Sequence, residues 1–320
     1  MRKVSTYKMA FTLLAATSLL AGCSGDDFNG NGNVNGNNSN TITFNTNVNN
    51  FISKAATYDK VEDLQDEGKG SFTCAAYEAN TTTAFIEPTK VNWDSSDNKW
   101  KFAEDQYWKY ASALDFFAYM PATKPSYISS ISYPSERSAQ FVCNLPSEQP
   151  NTVKEFICAL ATNQTKADNP DGVSMQFKHH FAKLLFNLDP ASGSNVKINS
   201  VKIDGIKMSG TCSFDGTTST WTPSGDDTYV MATAIDGTTP YLVIPNNYRA
   251  TTLTITVNAT WTGISNITVD KTATINDVSK TIGGKTKYLK NWEPGYSYLF
   301  TLKLSGDILK VDINKFTEQW

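Results

Sequence analysis

The chain reads as an all-β protein, and three observations predict it. Apolar residues alternate with Thr, Asn and Lys in many segments of five to ten residues. Clusters of Asp, Asn, Gly and Pro separate those segments at turn spacing. No amphipathic helical pattern longer than about ten residues is present. Many short antiparallel strands over this length argue two tandem β-sandwich domains, at residues 41–168 and 169–320.

The first 22 residues stand apart from that pattern. Arg2, Lys3 and Lys8 flank an apolar run from Met9 to Leu20, which ends in Ala21-Gly22-Cys23. Basic residues, a short apolar core and small residues make a secretory signal peptide over 1–22. The run is short of the roughly 20 apolar residues that a membrane-spanning helix needs. Without residues 1–22 the chain loses three of its 28 basic residues and none of its 31 acidic ones, leaving 298 residues with a formal charge of −6. An acidic chain without a basic stripe is not expected to bind nucleic acid.

Residues 23–40 form a tether rich in Asn and Gly, with Asn29 to Asn33 and Asn35 to Ser39 almost free of apolar side chains. About 16 such residues reach roughly 20–25 Å. The first alternating stretch is Thr41 to Val48, with Ile42, Phe44 and Val48 on one face and Thr43, Asn45 and Asn47 on the other. Ser53-Lys54-Ala55-Ala56-Thr57 follows, a small-residue segment around one basic side chain, of the kind that proteases cut.

Strand patterns then recur. Phe72 to Tyr77 is one. Val91 to Trp93 and Trp100 to Phe102 flank the turn residues Asp94 to Asn98 and predict a hairpin. Leu114 to Tyr119 is densely aromatic, Ala139 to Asn144 alternates, and Glu155 to Ala161 fits strand or helix. Lys166 to Gly172 is polar and turn-rich, which places the domain boundary there. In the second half, Val196 to Ile203 changes alternation phase near Ser200 and predicts a bulge. Tyr241 to Ile244 is a short buried strand. Leu253, Ile255, Val257 and Ala259 alternate without error, as do Tyr296, Tyr298, Phe300, Leu302 and Leu304. Leu309, Val311 and Ile313 close the series.

Chemistry-bearing patterns are scarce. His179 and His180 are adjacent, so on a strand they face opposite ways and cannot share a metal ion. Asp204-Gly205, Asp215-Gly216 and Asp236-Gly237 lack the alternating acidic ligands of a calcium loop and read as turns. Cys74, Cys143, Cys158 and Cys212 have wide spacing without a CxxC pair. Zinc is not expected; either buried thiols or disulfides fit them. No metal, cofactor or enzymatic activity is expected. Trp93, Trp100, Trp108 and Tyr107 would suit sugar stacking if exposed, and hairpin or core packing if not.

Several of these segments together resemble known families. Leu20-Ala21-Gly22-Cys23 resembles the lipobox of bacterial lipoproteins, which implies acylation at Cys23. Several chains on one residue anchor a protein stably where one does not. Asp26 and Asp27 resemble the acidic signal that sends such lipoproteins to the cell surface. The mature chain resembles the fimbrillins, the type V pilins of Bacteroidales. The resemblance rests on Asp115 to Pro121, Phe177 to Leu188, Leu242 to Pro245, Trp292 to Leu302 and the final Trp320, in that order.

That resemblance implies two transthyretin-like sandwiches and travel as a lipoprotein to the outer membrane, anchored through lipid on Cys23. It also implies removal of the first strand (Ile42, Phe44, Val48) by a trypsin-like processing protease. Another fimbrial subunit's strand then fills the groove, with Leu309, Val311 and Ile313 as candidate donor residues, in a cell-surface fimbrium supporting adhesion to a host or bacterial surface ligand. Burying three such side chains is worth about 5–9 kcal/mol gross, against a domain stability of about 5–15 kcal/mol. Fimbrillin stalk subunits are usually cut after Arg; here Lys54 occupies the matching stretch and the next Arg is Arg137. The alternative is an uncleaved surface lipoprotein: a pilus anchor, a tip, or a module that binds glycan or host protein.

Overall fold

Alternating apolar residues and turn clusters produce strands throughout the described residues. A 3-10 turn at Pro190–Ser192 is the helical piece among the described residues. The computed structural model describes residues 40–48, 70–110, 112–133, 137–149, 153–193, 195–262, 266–282, 284–305 and 308–318. Cys23, Lys54, the signal segment and nearly all of the tether lie outside them.

The first strands in chain order are β1 (Thr43–Val48), β2 (Ser71–Glu78), β3 (Ala84–Asp94), β4 (Lys99–Phe102), β5 (Leu114–Met120) and β6 (Ile128–Ser132). Next come β7 (Ala139–Asn144), β8 (Ile157–Gln164), β9 (Val173–His179), β10 (Ala182–Leu188), β11 (Val196–Ile206) and β12 (Ser209–Phe214). Then follow β13 (Ser219–Ser224), β14 (Thr228–Ala232), β15 (Tyr241–Val243), β16 (Asn246–Asn247), β17 (Leu253–Trp261) and β18 (Ile267–Ile275). The last are β19 (Ser279–Ile282), β20 (Lys285–Tyr288), β21 (Asn291–Trp292), β22 (Tyr296–Ser305) and β23 (Ile308–Glu318).

Seven strands close a barrel in the order β1-β4-β3-β2-β5-β8-β9, with β9 returning to β1. Its core is aromatic: Phe44, Phe72, Trp100, Phe102, Phe116 and Phe177 are buried together. Three four-stranded sheets, β15-β10-β22-β23, β14-β11-β17-β18 and β13-β12-β7-β6, pack around a second core. Phe141, Phe186, Ile255, Tyr298 and Phe300 belong to it. The predicted bulge is present: the β11–β17 register shifts between Ile198 and Ser200. Of residues 155–161, ambiguous in sequence, 157–161 resolve as the start of β8 and 155–156 lie just before it.

Two expectations are corrected. Pairing is not antiparallel throughout, since β1 runs parallel to β9 and β10 parallel to β22. The boundary at residue 168 also falls in the turn between β8 and β9, which pair in one barrel (Ile157 opposite His179). The chain leaves the barrel after β5, contributes the β6–β7 hairpin to the second core, and returns for β8 and β9. The division between cores is therefore not one cut in sequence, because β7 pairs with β12 from the far half.

The four cysteines are buried free thiols, and burial pushes each thiol pKa up. Asp215-Gly216 and Asp236-Gly237 are turns, but Asp204-Gly205 lies inside β11, where the β11–β14 register shifts between Asp204 and Ile206. Asp215 accepts hydrogen bonds from the Thr217 and Thr218 amides (2.8 and 2.7 Å), which hold its carboxyl below the usual range. Among the described residues no helix is long and apolar enough to cross a membrane.

Candidate functional site

The slot occupied by β1 is built from both sides. On one flank Phe44 lies opposite Trp100 of β4, and on the other β1 follows β9 from Phe44–Val173 to Val48–Phe177. The entry is tied down as well. The Ile42 amide donates to the Gln106 carbonyl (2.7 Å), and the Trp108 amide donates to the Asn40 carbonyl (3.0 Å). Alternation turns Ile42 and Phe44 inward, and both are 0% exposed. The Phe44 ring meets Phe72, Phe102 and Phe116 edge-on at 5.2–5.7 Å, a favoured aromatic geometry. Val48 lies at the end of β1; its side chain is outside the described residues.

Gly172 completes the slot. Its φ is +119°, and a Cβ there would lie 2.9 Å from Thr43 Oγ1 and 3.1 Å from the Thr43 carbonyl carbon. Only glycine lets the β8–β9 turn approach β1 so closely. The sequence reads this position as a turn and gives no sign that it walls the slot.

β1 and β2 are separated by residues 49–70, the stretch that contains Lys54. A cut there would sever β1 from the rest of the barrel. The next arginine, Arg137, lies 3.9 Å from the buried Asp115 carboxylate.

The Phe177–Leu188 segment carries the chain from one core to the other. Phe177 is buried in the barrel core and Ala182, Leu184 and Phe186 in the second. At the crossing, Glu155 Oε2 lies 3.0 Å from His179 Nδ1 and 3.1 Å from Lys183 Nζ, all three buried. Such a group holds together only as a set, since removing one partner strands buried charge. Glu155 is far from that segment in sequence, and nothing local in the sequence marks it. His180 is in neither strand. Its Nε2 accepts the Cys158 amide (3.1 Å), and its Nδ1 lies 2.7 Å from Ser219 Oγ. Burial holds its pKa down, at about 3. A neutral ring that accepts at Nε2 carries its proton on Nδ1 and donates it to Ser219.

The C-terminal strand β23 is the outer strand of its sheet, antiparallel to β22. Leu309 faces Leu304, Val311 faces Leu302 and Ile313 faces Phe300. Leu309 is buried and Val311 partly so; the Ile313 side chain is outside the described residues. At the opposite edge, Gln149 stands in for a strand. Its Oε1 accepts the Leu242 amide (2.8 Å) and its Nε2 donates to the Leu242 carbonyl (2.6 Å).

The aromatic residues weighed for sugar stacking divide. Trp100 and Trp108 are buried in the barrel, and Trp93 packs against its core. Tyr107 is exposed. Among the described residues no group of three or more His, Cys, Asp or Glu could hold a metal ion.

The fold is that of solved fimbrial and cell-adhesion proteins. A fimbrial protein of Bacteroides vulgatus ATCC 8482 superposes with a TM-score of 0.56 at 13% identity, over 88% of this chain and 99% of that one. A proposed cell adhesion protein of Bacteroides uniformis ATCC 8492 gives 0.54 at 15% identity, over 88% and 97%. A third, from Bacteroides ovatus ATCC 8483, gives 0.51 at 13% identity, over 88% and 97%. A comparison with curated proteins gives no match. A fimbrillin-like family model matches residues 67–320, and the chain belongs to that family. The match begins after β1.

Proposed function

We propose that this chain is a structural subunit of cell-surface fimbriae, exported as an outer-membrane lipoprotein through Cys23 and assembled by strand exchange. Family membership supports the fimbrial role and cell-surface location. The observation that carries the exchange is the β1 slot: a six-residue strand with neighbours on both sides, wholly buried side chains at Phe44 and at Ile42 just before it, and Lys54 in the chain segment that links it to β2. Once a trypsin-like protease has cut after Lys54, departure of β1 would leave two unpaired strand edges and an open aromatic groove. Unpaired edges recruit strands, and an added strand gains affinity from backbone hydrogen bonds and specificity from alternate side chains. The Leu309, Val311 and Ile313 register of β23 supplies a strand of the required alternation.

The test is Lys54→Gln expressed in cells that lack the natural chain. The expected result is surface-anchored protein that keeps its N-terminal segment and builds no fimbriae by immuno-electron microscopy. Normal fimbriae on such cells would contradict the proposed cleavage. They would also favour the second reading, an uncleaved anchor or tip lipoprotein, which the lysine in place of arginine supports.

A further inference from the structure

We propose that a cleft between the two cores binds an acidic saccharide, one carrying carboxylates on a hydroxyl-rich frame. This goes beyond the fimbrial reading and does not depend on strand exchange. The cleft has a volume of about 980 Å³, ample for a short oligosaccharide. Ser71, Thr73 and Lys90 line it from the barrel, and Asn144, Leu145 and Pro146 from the second assembly. Junctions between packed units are a usual place for ligand sites.

Its charge runs against the rest of the molecule. Lys90, Lys124 and Lys154 line the cleft against one carboxylate, Glu148, in a chain whose formal charge is −3. A local cationic concavity on an acidic protein focuses attraction on anions. Lys90 and Lys154 are exposed. Lys124 donates to the Ile128 carbonyl, which fixes its stem beside them.

The walls are tied in place. Thr73 Oγ1 donates to the Ala122 carbonyl (2.8 Å), pinning the 121–127 loop on β2. Tyr127 OH donates to the Lys154 carbonyl (2.6 Å), and the Asn144 amide donates to the Tyr127 carbonyl (2.8 Å). Pro121, Pro125 and Pro146 restrict the rim further. A preorganised site loses less entropy on binding. The chemistry of the lining selects the ligand class. Hydroxyl and amide groups at Ser71, Thr123, Ser126 and Asn144 match sugar hydroxyls, and the lysines match a sugar carboxylate. Three lysines are too few for a nucleic-acid backbone.

Calorimetry on soluble residues 24–320 tests this with sialyllactose, an oligogalacturonate and neutral lactose. One of the two acids should bind in the sub-millimolar range, and which one binds identifies the sugar acid. Lactose should not bind. The double variant Lys90→Gln, Lys154→Gln should weaken binding by at least about tenfold, and Lys90→Arg, Lys154→Arg should retain it. The proposal is overturned if neither acid binds, if lactose binds as well as the acids, or if the glutamine variant binds as the natural chain does with an unchanged melting temperature. It is also overturned if the arginine variant, folded, fails to bind.

Discussion

The two terminal strands occupy opposite kinds of place. β1 is six residues long and lies between β4 and β9, whereas β23 is eleven residues long and forms the outer strand of its sheet. Ile42 and Phe44 are wholly enclosed, while on β23 Ile308 is 57% exposed and Val311 only partly covered. A short enclosed strand concentrates its stabilisation in a few side chains, and its loss opens two edges. A long edge strand spreads its stabilisation along a ladder and leaves one edge. This asymmetry is what the proposed exchange requires: one slot costly to leave empty, and one strand at the rim.

The largest expected effect breaks the slot from within. Phe44→Ala should destabilise the uncut chain by about 3–5 kcal/mol, read by urea denaturation, because three aromatic rings lose their shared partner. Val311→Ala, on a partly exposed edge position, should cost about 1 kcal/mol or less. Equal effects would remove the asymmetry.

The junction between the regions should respond to acid. The folded pKa of His180 lies at about 3, below the ordinary value of 6.5, so the unfolded chain binds the extra proton in that window. Stability therefore falls as pH drops below about 6.5, by up to about 1.4 kcal/mol per pH unit. Between pH 6.5 and 5, above the carboxylate range, His180→Gln should show a shallower slope than the natural chain in chemical denaturation. An identical slope would mean that the ring is not buried neutral.

A smaller effect sharpens the slot's geometry. Gly172→Ala places a methyl group against Thr43 at a φ of +119° and should cost about 1–3 kcal/mol. The loss should appear as faster hydrogen exchange in β1 and β9 and leave β23 unchanged. Uniform loosening would mean that Gly172 serves the whole fold instead of the slot.

Local pattern in the sequence made much of this legible. Leu253, Ile255, Val257 and Ala259 all point into the core as their alternation requires, and the phase change at Ser200 is a bulge. The burial of Ile42 and Phe44 follows from the same rule. Strands at Ile128–Ser132, Ser219–Ser224 and Ile267–Ile275 are harder to read, because each is a sheet edge with many exposed polar positions. Local partnership was legible at the Val91–Phe102 hairpin, but partnership between distant strands was not. Periodicity says which face is buried but not which distant strand covers it. The parallel β1–β9 pair, the hairpin lent to the second core, Gly172 against Thr43, and Glu155 between His179 and Lys183 all depend on such distant contacts.

Limited tryptic digestion of soluble residues 24–320, followed by intact mass and size-exclusion chromatography, tests the central claim most directly. The predicted result is an early cut after Lys54, departure of the fragment that carries Ile42 and Phe44, and a shift of the remaining body to oligomers. A peptide of residues 308–318 should hold that body monomeric by filling the slot. A chain that resists cutting there, or a cut chain that remains a monomer without the peptide, would contradict it.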